Sequence, residues 1–119
     1  MQAYLRGRLK SFAHAFAGGV HLLATQPNAR IHAFASVVIV LLGYLFNLRP
    51  LEWLFILSAI TLVWITETLN TAIECLGDAI SQDPHHYIKA AKDLGAFATL
   101  IAALFAVVVG STIFIPYMV

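Results

Sequence analysis

The sequence predicts an all-α integral membrane protein: three transmembrane helices, preceded by an amphipathic helix lying in the membrane interface. Three observations predict it. Of 119 residues, 61% are hydrophobic and 11% charged, against roughly 45–50% and about 25% in soluble domains. Seven Lys and Arg and six Asp and Glu cannot coat a soluble fold of this length, whereas a bilayer needs no such coat. Three apolar stretches are long enough to cross a hydrocarbon core of about 30 Å as helices. Ahead of them, leucine and phenylalanine recur at steps of three and four.

The first element covers about residues 4–24. Leu5, Leu9, Phe12, Phe16, Val20 and Leu23 share one face, with Arg6, Arg8 and Lys10 elsewhere around the turn, the pattern of a helix lying in the interface. Thr25-Gln26-Pro27-Asn28 ends it, because proline cannot continue the helical ladder. The first span covers about residues 31–48, and Asn47 to Pro50 is a short hairpin. The second covers about 51–69 and continues as a polar helical extension to about 80. Ser81-Gln82-Asp83-Pro84-His85 breaks the chain again, and the third span covers about 94–118. The whole forms one domain, with no repeat or long linker.

Charge placement sets the expected orientation. Arg6, Arg8, Lys10 and Arg30 precede the first span and Lys89 and Lys92 precede the third, while the first hairpin carries only Arg49. The positive-inside rule then puts the N-terminus and second connection in the cytoplasm and the C-terminus outside. The basic N-terminus is not followed by the apolar core and small-residue site of a removable signal peptide. The net charge of +1 gives no basic field for nucleic acid, and the one cysteine, Cys75, excludes an intrachain disulfide.

Five of the six acids fall after residue 65: Glu67, Glu74, Asp78, Asp83 and Asp93. At about 100° per residue, Glu67, Asn70, Glu74 and Asp78 share an arc of about 80° over three turns. A carboxylate inside a span costs about 2.5–3.5 kcal/mol, less near the interface, so Glu67 needs a partner or a function. With no base between Arg49 and Lys89, the stripe is expected to be uncompensated and to suit a hard divalent cation such as Mg²⁺. The chain lacks the Cys/His spacings of zinc sites and the Glu-x-x-His of di-iron bundles. Lys92 beside such a face suits a polyphosphate, although no P-loop or kinase glycine loop is present.

The segment Glu67-Thr-Leu-Asn70-Thr71-Ala72-Ile73-Glu74-Cys-Leu-Gly-Asp78 resembles the signature of the prokaryotic diacylglycerol kinase and undecaprenol kinase family, E-x-x-N-[ST]-A-[IL]-E-x-x-x-D. The resemblance extends to His85, Ala91-Lys92-Asp93, the N-terminal Lys10-Ser-Phe12…Ala15-Phe16…Gly18, and Asn28-x-Arg30-Ile31-His32. The last of these is nearer the undecaprenol branch. The resemblance implies a homotrimer in the bacterial cytoplasmic membrane, with each active site shared between subunits. It also implies transfer of the γ-phosphate of Mg-ATP to a lipid hydroxyl, undecaprenol first and diacylglycerol second. Glu67 would be the general base, Glu74 would hold the metal, and Asn70, Asp78, Lys92 and Asp93 would serve the nucleotide. Gln26 stands where relatives often carry a second acidic metal ligand, and Ala90 where some carry arginine. A non-catalytic cation-binding assembly protein and an inactive kinase homologue are the competing readings.

Overall fold

The computed structural model describes residues 1–119 and contains only helices: α1 (Gln2–Thr25), α2 (Pro27–Leu45), α3 (Pro50–Ile80) and α4 (His86–Met118). The last three are long and apolar enough to span a membrane.

α1 and α2 meet at a tight elbow. Gln26 is extended, Pro27 opens α2 where a missing N–H costs nothing, and Leu22 and Ala29 are buried against the bend. Arg30 reaches back over it, donating from Nε to the Leu23 carbonyl at 2.8 Å and from Nη2 to the Ala24 carbonyl at 2.6 Å. It thereby caps the last turn of α1, whose carbonyls have no helical partners. Arginine in the Asn28-x-Arg30 element thus has a local structural task.

α2 stops at Leu45, short of the Leu48 boundary that hydropathy sets. Asn47 adopts φ 52°, the Asn47 N–H bonds to the Tyr44 carbonyl, and the Leu48 N–H to the Gly43 carbonyl. This is a Schellman motif, with Leu48 buried against Gly43. Phe46 and Leu48 are apolar because they pack over the hairpin rather than extend the span. α4 begins at His86, eight residues ahead of the apolar run at Leu94, because Tyr87 to Asp93 form helix despite their polarity.

α3 and α4 form an antiparallel hairpin that organises the molecule. On α3 the buried and half-buried positions include the series Ile56, Ile60, Val63, Glu67, Asn70, Glu74, Gly77; on α4 they include Lys92, Gly95, Thr99, Ala102, Ala106, Val109, Ile113. Both series alternate steps of four and three, the heptad spacing of a coiled-coil seam. Gly77 lies against Ile88 and Lys92, Asn70 against Gly95, and Glu52 against Tyr117, which fixes the register. In lipid, apolar burial drives no helix association, so close packing through small residues must hold the pair. α2 lies antiparallel to α3, joined by a Trp64 indole N–H donated to Ser36 Oγ at 3.1 Å.

The seam divides in two. Near the α2–α3 hairpin, Leu48, Ile56, Ala59, Val109, Ile113 and Phe114 form the apolar core, with Phe46 and Trp53 packed against it. Toward the α3–α4 turn the same seam becomes polar. Only 15 of 119 residues are buried, and the exposed surface of the spans is apolar, as lipid or further protein requires.

Candidate functional site

The polar half of the seam contains the predicted stripe, graded in exposure. Glu67 is 1% exposed, Asn70 and Glu74 are half-buried, and Asp78 is exposed. A helical period of 3.6 against a seam of 3.5 carries the acids gradually out of the interface.

Glu67 is the largest fully buried side chain, and its Oε2 has no hydrogen-bond partner. Its neighbour Thr71 is no help, because that hydroxyl donates to the Glu67 backbone carbonyl at 2.9 Å. The nearest basic group is His32 on α2, with Nε2 3.8 Å from Glu67 Oε2. A buried carboxylate oxygen without a donor costs at least about 1–3 kcal/mol, the kind of cost that persists at functional sites.

Asn70 donates from Nδ2 to Glu74 Oε1 at a long 3.5 Å, and its Oδ1 is buried without a donor. Gly95 makes this placement possible: a Cβ on residue 95 would stand 2.5 Å from Asn70 Oδ1.

The expected lack of compensation fails at Asp78. Lys92 crosses from α4 to pair with it, and Lys89 pairs with Asp93 along α4. Sequence distance hid the first pair, since antiparallel folding brings together residues that lie on different helices. Lys92 lies ahead of the apolar run of α4, and its ammonium is pushed up from its ordinary value by the hydrogen bond to Asp78, with further attraction from Asp78 and Glu74. Burial opposes the shift. Below these pairs, Asp78, Gln82, His85, His86, Lys89 and Lys92 line a hollow of about 500 Å³ at the α3–α4 turn.

Gln26 is half-buried at the α1–α2 elbow, and no hydrogen bond joins its side chain to Glu74. No group of three or more His, Cys, Asp or Glu forms within the chain, so a closed metal cage of protein ligands is absent. Glu74 nevertheless fits a hard cation: it is a half-buried carboxylate with no direct cationic partner, and its one side-chain hydrogen bond is the long one from Asn70 Nδ2. Mg²⁺ characteristically takes one or two carboxylates and completes its shell with water and phosphate. Sequence reasoning missed His32 as a neighbour of Glu67, although the Asn28-x-Arg30-Ile31-His32 element contains it.

The sequence profile of the family described as prokaryotic diacylglycerol kinase matches residues 13–114. A diacylglycerol kinase from Synechocystis is 39% identical over 91% of this chain and 62% of its own length, so the chain spans less than two thirds of that relative. An undecaprenol kinase from Bacillus subtilis is 37% identical over 90% of this chain and 87% of its own. A diacylglycerol kinase from Escherichia coli is 33% identical over 66% and 65%, respectively. With the buried carboxylate, the polar seam and three membrane-spanning helices in place, the chain belongs to the prokaryotic diacylglycerol kinase family, a family of lipid kinases.

Proposed function

We propose that the protein transfers the γ-phosphate of Mg-ATP to the hydroxyl of a membrane lipid, undecaprenol first and diacylglycerol second. The observation that carries this is Glu67, a buried carboxylate with an unpartnered oxygen. It lies where the polar seam meets the apolar part of the spans, so a lipid alcohol can approach from the bilayer while a nucleotide approaches from the polar end.

Glu67 accepts the hydroxyl proton as the lipid oxygen forms its bond to the γ-phosphorus. The bond from that phosphorus to the bridging oxygen breaks and ADP leaves. Glu74 and Gln26 would hold Mg²⁺, whose charge would neutralise phosphate oxygens. Asn70, Asp78, Lys92 and Asp93 serve the nucleotide, with Lys92 balancing anionic oxygens where the α3–α4 hollow opens. Asp78 and Lys92, paired in the free chain, exchange part of that pairing for the nucleotide.

The N-terminus and α3–α4 turn face the cytoplasm, the C-terminus faces out, and α1 lies in the membrane interface with its apolar face in the lipid. α1 is exposed except for Leu22, which supports that reading. The subunits form a homotrimer with shared sites, supported by the exposed apolar faces of the spans, which further copies of the chain can cover. The undecaprenol preference is supported by the Asn28-x-Arg30-Ile31-His32 element and by likeness to the Bacillus subtilis undecaprenol kinase over 87% of that protein.

The test is transfer of label from [γ-³²P]ATP in mixed micelles offered undecaprenol or diacylglycerol. Labelled undecaprenyl phosphate from wild type, and little from Glu67→Gln, is expected. Preferential labelling of diacylglycerol would overturn the lipid assignment. No labelling of either lipid across Mg²⁺ and Mn²⁺ titrations would overturn the activity.

A further inference from the structure

The orphan oxygen of Glu67 has one neighbour able to satisfy it. His32 Nε2 stands 3.8 Å from Oε2, beyond hydrogen-bond reach by less than an ångström. The hydroxyls of Thr71, Thr68 and, on the facing turn of α4, Thr99 are committed to backbone carbonyls, and the Trp64 indole N–H to Ser36. The α4 residues beside the His32 ring are Ala103, Ala106 and Val107, which bring no polar side chain to the hollow of about 220 Å³ that the ring lines.

The turn of α2 that carries the ring is fixed from below. Ser36 accepts the Trp64 N–H and donates to the His32 carbonyl at 2.6 Å, so the turn of α2 carrying His32 is tied to the turn of α3 just before Glu67. Trp64 to Ser36 and Glu67 to His32 are successive rungs between antiparallel helices. The lower rung is closed and the upper open, and catalytic contacts are often longer in a free site than in the substrate complex.

We propose that His32 is a positioning residue for Glu67. Its Nε2–H holds one carboxylate oxygen when substrate enters, so that the other oxygen is directed at the lipid hydroxyl. This rests on Glu67 being the base of the proposed kinase reaction. The ring, with its side chain 21% exposed, can swing between the hollow and the carboxylate while its backbone stays tied.

The test compares His32→Leu with His32→Gln in full-length protein in mixed micelles. Leucine approximates the bulk without a donor, whereas glutamine carries an N–H to nearly the place of Nε2. Misplacing a reacting group by an ångström can cost about 100-fold. His32→Leu is expected to lower kcat about 10- to 100-fold with the KM for ATP unchanged, and His32→Gln to recover to within about fivefold of wild type. In a Glu67→Asp background, where the carboxylate is withdrawn by one methylene, the His32→Leu effect should shrink to under about threefold, since coupled residues do not lose activity additively. Full kcat in His32→Leu, or His32→Gln as impaired as His32→Leu at equal thermal stability, would overturn the proposal. If His32→Leu does not fold, His32→Asn replaces it, because its amide is too short to reach Oε2, and activity equal to His32→Gln overturns it. An inactive Glu67→Gln beside a fully active His32→Leu removes His32 and leaves the base. An active Glu67→Gln removes the base itself.

Discussion

Two acids on α3, Glu52 and Glu67, both lie at contacts with neighbouring helices, and their surroundings differ in kind. Glu52 Oε2 accepts the Arg49 backbone N–H at 2.8 Å and the Tyr117 hydroxyl at 2.8 Å, while Oε1 accepts Arg49 Nη2 at 2.9 Å. Arg49, in the hairpin outside the spans, is pushed up from its ordinary value chiefly by its hydrogen bond to Glu52. Every partner of Glu52 does structural work: it caps the start of α3 and ties the end of α4 to the hairpin. Glu67 is more deeply buried yet keeps an oxygen without a donor. A carboxylate held for stability is saturated with donors, whereas one held for proton transfer stays free of fixed donors until substrate enters.

The comparison can be broken most directly at Glu67. Glu67→Gln should lower kcat by about 10³-fold, within the range of a lost general base, and leave the fold intact, as read by lipid labelling and circular dichroism. A variant with wild-type kcat would put Glu67 in the same structural class as Glu52.

Gly95→Ala tests whether the polar seam depends on close approach. The added Cβ would stand 2.5 Å from Asn70 Oδ1, so the Asn70 amide must turn. About a 10-fold fall in kcat is expected, with about 1–3 kcal/mol lost in stability from overpacking. A stability loss without a fall in kcat would make Asn70 a packing residue.

Gln26→Glu sharpens the metal assignment. Adding a charged oxygen donor should lower the Mg²⁺ concentration for half-maximal activity about threefold to 10-fold, measured by metal titration. An unchanged titration places Gln26 outside the metal shell. The smallest effect on catalysis is expected at the other pole: Glu52→Gln should keep kcat within about twofold while lowering Tm by about 2–5 °C in detergent. Loss of activity at unchanged Tm would end the contrast between the two acids.

Much of the fold was legible because helices in lipid are specified locally. Apolar length identified three spans, proline and asparagine marked the breaks, and the 3.6-residue period put Glu67, Asn70 and Glu74 on one face. The end of α2 was less legible: Phe46 and Leu48 are apolar like the span but belong to a Schellman turn, so hydropathy alone ran past Leu45. The apolar run marked only the lipid-crossing part of α4; Lys89, Lys92 and Asp93 open the helix ahead of it, and its first turn at His86 leaves no hydropathy signal. The stripe and its graded exposure were foreseeable, but the assumption that it lacked a base was not sound, because Lys92 returns to Asp78 from another helix.

The sequence by itself determined what each helix is and which residues share its faces, since these depend on neighbours three and four residues away. Only the tertiary structure decided which faces meet: Asp78 with Lys92, Asn70 with Gly95, Glu52 with Tyr117, and Glu67 with His32. Those pairings depend on the rotation and register of one helix against another, set by small residues and turn geometry along the whole contact. Through them, two carboxylates on one helix acquire opposite fates, one saturated and one left with a free oxygen.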